Sequence, residues 1–322
     1  VSARSIAAAV ALALAPLAAQ AQPAGGWTPP RTPWGDPDIQ GVYTNKDENG
    51  TPFERPEEFA GRRLEEFGAD EMAALRAERQ ALALARAGQI GGSATEDTGA
   101  GPPHWYEHLD AVNSQPWLIV EPPDGRIPPL TEGGERRQAA QRAALAKRDA
   151  PDTYTDMSLY DRCISRGLPG SMMPAIYGNA YDITQAPGYV VIRYEMIHEA
   201  RVIPLDDRPR LADEFGFYMG DARGRFEGHT LVVETTNFRD GAAYRNASSA
   251  LKITERFTPV DEHTLRWEAR FEDPATWPQP WAFAMPLKRD PSSPVFEYAC
   301  HEGNRGLENI LRAARAAERP PE

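Results

Sequence analysis

Between residues 181 and 288 the chain alternates apolar and polar residues with a period of two, in short runs parted by turn residues, and this limits its fold more than any other feature. Successive side chains of a strand point to opposite faces, so runs of this kind are satisfied by antiparallel strands that bury one face. Residues 189–197 and 201–205 predict a hairpin around His198-Glu199, and residues 225–236 a second that turns at Gly228. Residues 251–258 and 264–272, on either side of Asp261-Glu262-His263, predict a third, and residues 281–288 with 295–300 a fourth pair. Eight short strands in succession predict a mainly β fold: an antiparallel up-and-down barrel of lipocalin-like type, or a strongly curved sheet. A two-sheet sandwich is the competing architecture.

The first half reads differently. Residues 22–56 are rich in proline and glycine and carry Trp27 and Trp34, which predicts an extended arm whose indoles cover another surface. Helical spacing follows in residues 56–67 and 69–86, where Met72, Leu75 and Leu82 recur among charges, and more weakly in residues 135–148. Residues 88–101 are small and polar and predict a loop, and residues 307–317 predict a closing C-terminal helix. The expected layout is an arm and helical region over 22–157, packed on a barrel with its closing helix over 158–322. Thirty prolines and 26 glycines favour long ordered loops over a helical bundle.

Residues 1–21 read as a signal peptide: Arg4 supplies a positive start, residues 6–18 an apolar run too short to span a bilayer, and Ala19-Gln20-Ala21 a small-x-small cleavage pattern. The mature chain would begin at Gln22 and work in the periplasm or the medium. No later apolar stretch is long enough to span a membrane. A net charge of −12, from 35 Lys and Arg against 47 Asp and Glu, makes nucleic acid and anionic membrane poor partners. Cys163 and Cys300 are the only cysteines, and in an exported chain their default reading is a disulfide; two buried free thiols are the alternative, with a metal pair or a nucleophile last.

Sorting the strands by face isolates three carboxylates. Glu195, Glu234 and Glu255 each fall on a face otherwise mainly apolar or small. Such a group either pairs with an arginine, Arg193 for example, or sits in a cavity with a raised pKa, fit for acid or base work. Residues 158–181 form the most unusual passage, combining Arg162 and Arg166, Met172 and Met173, several aromatics, and Gly and Pro. Long ordered loops beside a barrel mouth are frequent ligand sites, although such a loop also serves as a plug. His104 and His108 flank Glu107 at a spacing that would share a helix face, but Pro102-Pro103 argues against a helix and no third ligand lies near, so no metal is expected. A nucleophile elbow, a phosphate loop and a dinucleotide fingerprint are all missing from the sequence, and nothing in it requires a cofactor.

Residues 34–43 (Trp34-Gly35-Asp36-Pro37-Asp38-Ile39-Gln40-Gly41-Val42-Tyr43), the 159–181 loop, Tyr194-Glu195-Met196-Ile197-His198, residues 220–228, Thr236-Asn237-Phe238 and residues 298–304 resemble a large family of mostly uncharacterised secreted bacterial proteins. The resemblance covers nearly the whole mature chain. It associates the chain with extracellular, cofactor-independent enzymes that cleave β-aryl ethers in lignin-derived compounds. That chemistry needs an acid for the departing oxygen, a base for water or a neighbouring hydroxyl, and a slot for aromatic rings. Glu195, Glu234 and His198 are the candidates for acid and base. Met172, Met173, Tyr181 and Trp281 are the candidates for the slot, with Arg166, Asn179 and Arg193 holding oxygens. The rival expectation is a lipocalin-like carrier, in which the barrel holds a hydrophobic small molecule and leaves it unchanged. A third is a periplasmic partner-binding protein with its tryptophan-rich arm exposed.

Overall fold

A computed structural model describes residues 27–90, 107, 111–146, 151–212, 214–239, 241–293 and 295–318. The expected signal peptide, most of the 88–101 loop, and His104 and His108 lie outside them. In chain order the elements are β1 (Gly41–Thr44), α1 (Ala69–Ile90), β2 (Ile119–Glu121), α2 (Glu132–Ala146), β3 (Ala180–Ala186), β4 (Tyr189–Tyr194), β5 (Ala200–Pro204), β6 (Asp221–Glu227), β7 (Thr230–Thr236), β8 (Lys252–Asp261), β9 (Thr264–Glu272), β10 (Trp281–Arg289), α3 (Cys300–Gly303) and α4 (Arg305–Ala317).

The strands form one antiparallel sheet in the order β5-β4-β3-β1-β10-β9-β8-β7-β6, with β2 added against β10. The sheet curls into a nearly closed barrel. Its free edges, β5 and β6, meet through side chains: Gly224 lies so close to Ile203 and Leu205 that a Cβ there would come within 2.8 Å of a methyl carbon of each. The missing side chain is what lets the seam close. The strict alternation read from residues 252–272 is realised. Ile253, Glu255, Phe257, Leu265, Trp267, Ala269 and Phe271 are buried, while Lys252, Thr254, Arg256, Arg266, Glu268, Arg270 and Glu272 form the outer face.

Two expectations change. Residues 295–300 form no strand; Phe296, Glu297 and Ala299 are exposed and the segment leads into α3. The partner of β10 is instead β1, which the proline-rich arm inserts between β3 and β10. The stretch 56–67 forms two short 3-10 turns, Glu57–Phe59 and Leu64–Glu66, because Gly61, at φ +84°, breaks the helical path between them. No described helix is long and apolar enough to cross a membrane.

The barrel interior is filled. Trp281 stacks on Phe271 with centroids 4.1 Å apart, Trp267 stands edge-on to Phe283 at 5.1 Å, and Tyr181 and Tyr194 meet edge to face. At its centre the Arg201 guanidinium pairs with the Glu255 carboxylate, which also accepts from Trp267 Nε1 at 3.1 Å. Both charged residues are essentially out of solvent, at 4% and 0% exposure. Burial is the largest single influence on Arg201 and opposes its charge, but Glu255, Tyr194 and Glu199 together raise the Arg201 pKa. Among the described residues these side chains occupy the barrel interior.

The two barrel ends differ. At one end β3 and β4, β6 and β7, and β8 and β9 are joined by two-residue turns, Pro187-Gly188, Gly228-His229 and Glu262-His263. At the other lie the long connections: residues 151–179 entering β3, the turn 195–199 between β4 and β5, and residues 237–251 between β7 and β8. The 205–220 segment leaves β5 at the first end and enters β6 at the second.

Candidate functional site

At the long-loop end an open cleft of about 1140 Å³ lies between the 155–177 loop and residues 239–245, with Tyr218 and Met196 also on its wall. Buried polar anchors fix both loops. On one side the Glu199 carboxylate accepts from Ser165 Oγ (3.0 Å) and Ser171 Oγ (3.2 Å) beneath the loop that carries Arg166. Burial raises its pKa, which these hydroxyls and Arg201 offset only in part. On the other side the buried Asp273 carboxylate accepts from the Ser248 backbone N–H (2.6 Å) and Oγ (2.8 Å), and Arg137 of α2 reaches the Ala275 carbonyl (3.0 Å). Seven described non-glycine residues have positive φ. Six of them, Cys163, Ile197, His198, Asn237, Arg245 and Asn246, belong to the connections of this end. Strained backbone of this kind persists where surrounding contacts over-determine it, and it gathers at functional sites.

Four arginines line the cleft, Arg162, Arg166, Arg239 and Arg245, with Asp156 the single acidic side chain among the described residues of its lining. None of the four has a carboxylate within 4.0 Å among the described residues. Three lie over tyrosine rings instead: Arg166 over Tyr160 (5.4 Å to the centroid), Arg239 over Tyr218 (5.3 Å) and Arg245 over Tyr244 (5.6 Å). Arg162 Nε is buried with no hydrogen-bond partner among the described residues.

Beside Arg166 three phenols converge. Tyr177 and Tyr298 stack with centroids 6.3 Å apart and hydroxyls at 3.4 Å, and the Tyr160 hydroxyl interacts with both. Burial raises all three phenol pKa values, while Arg166 pulls each of them down. Tyr298 comes from the far end of the chain and is held by three tethers. The Cys163–Cys300 disulfide joins the segments, with Cα atoms 5.6 Å apart. The Asn304 amide donates to the Asp161 carbonyl at 2.8 Å, and His198 Nδ1–H donates to the Tyr298 carbonyl at 2.9 Å. His198 is exposed, so its visible contact is structural.

The three carboxylates isolated by face have separate fates. Glu255 is neutralised by Arg201, whereas Arg193 faces outward and pairs with Asp182 at 3.2 Å. Glu234 is ion-paired on the outer face with Arg225 (2.9 Å) and Arg210 (3.8 Å), away from the cleft lining. Glu195 has no ion pair among the described residues. It accepts from the Ala180 backbone N–H at 3.2 Å, and burial, reinforced by Glu107, pushes its carboxyl up to about 7. It directly precedes Met196, which lines the cleft.

Of the candidate binding residues, Arg166 lines the cleft. Met172, Tyr181 and Trp281 are buried in the barrel core, with Met173 packed against it, so no aromatic slot forms from them at the cleft. Tyr181 donates its hydroxyl to Asn45 at 2.9 Å. Asn179 is wholly buried and bridges the Ala175 backbone and Glu107. Tyr160 and Tyr177 stand in the 158–181 loop and Tyr298 in the 298–304 segment, yet none of them is a candidate on sequence alone, and neither are Tyr218, Arg239, Tyr244 and Arg245. The available signal was aromatic residues recurring close to arginines in connections of the same barrel end. Among the described residues no group of three or more His, Cys, Asp or Glu is arranged to hold a metal ion. Comparison with protein-family models, with curated proteins and with solved structures finds no match to this chain.

Proposed function

We propose that the chain binds small aromatic compounds in the arginine–tyrosine cleft and cleaves aryl ether bonds there by acid–base chemistry without a cofactor. The observation that supports this reading is the Tyr160–Tyr177–Tyr298 cluster beside Arg166, which sets the phenols of Tyr160 and Tyr177 and a cation at one wall of a cleft faced with aromatic rings, with Tyr298 in contact with both phenols. A phenol next to a guanidinium is suited to give a proton to a departing aryl oxygen as the C–O bond breaks. Glu195, which lies outside the cleft lining directly before Met196, has a proton affinity near neutrality and is the base this reading assigns to the attacking water, whose oxygen forms the new C–O bond. Glu234 has no part in this scheme, since two arginines already hold its charge.

A carrier reading is favoured by one observation: Asp156 is the single carboxylate on the cleft lining among the described residues, so no acid–base dyad is formed by them there. Incubation with a fluorogenic β-aryl ether dimer, without added cofactor, separates the two. The enzyme reading expects phenol release that falls at least tenfold in Tyr160→Phe, Tyr298→Phe or Glu195→Gln while the fold is kept. Saturable binding of the dimer with no release from the wild type would replace it with the carrier.

A further inference from the structure

We infer that the cleft selects aromatic ligands carrying a carboxylate, so that its substrates are aryl acids and not neutral aryl alcohols or esters. This rests on the cleft being the ligand site proposed above. The protein carries a net charge of −12, and its long-range field repels anions. Against that background four arginines gather around the cleft, and among the described residues of its lining Asp156 is the one opposing charge. Asp156 is itself engaged, its Oδ2 accepting the backbone N–H groups of Asp152 (2.9 Å) and Thr153 (3.0 Å). Glu199 lies below the loop, held by two serine hydroxyls and attracted to Arg201.

Bringing like charges together without counter-ions opposes folding, and a bound anion reverses the sign of that effect. Arginine is also the side chain whose planar fork matches a carboxylate in two parallel hydrogen bonds. Arg166, Arg239 and Arg245 are held over tyrosine rings and not by a carboxylate among the described residues, so their charge is not neutralised there and a bound carboxylate can answer it. The same tyrosines present flat faces for an aromatic ligand. The two walls thus recognise two parts of one molecule, a ring and an anion attached to it.

The test uses 3,4-dimethoxybenzoate and its methyl ester, which differ in charge but hardly in shape, titrated calorimetrically into the mature protein. The acid is expected to bind at least tenfold more tightly than the ester, and more weakly as salt rises from 50 to 500 mM. In Arg239→Ala/Arg245→Ala the acid should lose at least tenfold and the ester little. Arg166→Lys, which keeps the charge, guards against misreading a variant that folds poorly, and should retain most of the preference. Equal affinity for acid and ester, or a preference unchanged in the double variant, would overturn the inference. If a carboxylated ether dimer binds tightly and is never cleaved, the inference stands and ether cleavage falls. If neutral dimers are cleaved while the acid does not compete, ether cleavage stands and the inference falls.

Discussion

On the outer face of the barrel Arg223, Arg225, Arg256, Arg266 and Arg270 each meet a carboxylate, mostly from a neighbouring strand or two residues along their own. Around the cleft Arg166, Arg239 and Arg245 meet tyrosine rings and no carboxylate among the described residues. The same residue type therefore serves two ends. Pairing along a pleated surface satisfies charge locally and leaves nothing for a ligand, whereas a place over a ring holds the cation without neutralising it. The barrel centre adds a third setting, where Arg201 and Glu255 face each other without water.

The largest effect belongs to that third setting. Arg201→Met leaves Glu255 buried without its cation and is expected to cost about 3 to 5 kcal/mol, read as a lowered urea midpoint with an unchanged slope. A loss below about 1 kcal/mol would mean that Glu255 finds another partner or takes up a proton.

The middle effect concerns the carboxylate that arginine does not reach. Burial raises Glu195 from 4.5 to about 7, so the folded chain holds this proton more tightly than the unfolded one. Its contribution is full below about pH 4.5 and is lost as pH rises through 7. Relative to wild type, Glu195→Gln should gain about 1 to 3 kcal/mol between pH 5 and 8, after allowance for solvent screening. Parallel stability profiles for the two proteins would contradict the raised value.

The smallest effect is on the outer face. Arg225→Ala, more than half exposed at its side chain, should change stability by about 1 kcal/mol or less and leave ligand affinity within twofold. A tenfold loss of binding there would erase the distinction between paired and stacked arginines.

How far the sequence carried these conclusions follows from the range of the interactions. The alternation in β8 and β9 is local, so burial could be assigned residue by residue. It also marked Glu255 as an inward carboxylate. Its partner was not legible, because the β3–β4 register places Arg193 opposite Asp182 on the outer face and leaves Arg201 of β5 to turn inward. β1 was hidden for a related reason: four residues in a proline-rich arm carry little period, and their partners β3 and β10 lie far along the chain. The cleft was harder still. Its arginines and tyrosines come from separate connections, and only the barrel's closure makes those connections neighbours.

The placement of β1 bears on how the molecule is made. Strands β3 to β5 and β6 to β10 can each zip up with sequence neighbours as they emerge, but the wedge between β3 and β10 belongs to a segment synthesised long before either. The arm must wait, unpaired, for nearly the whole chain. Sheets whose last pairing spans such a separation fold slowly and expose unpaired edges meanwhile. For this protein the vulnerable interval ends when Gly41–Thr44 docks beside β10, and an arm held away from that slot would leave two open strand edges facing each other across a gap.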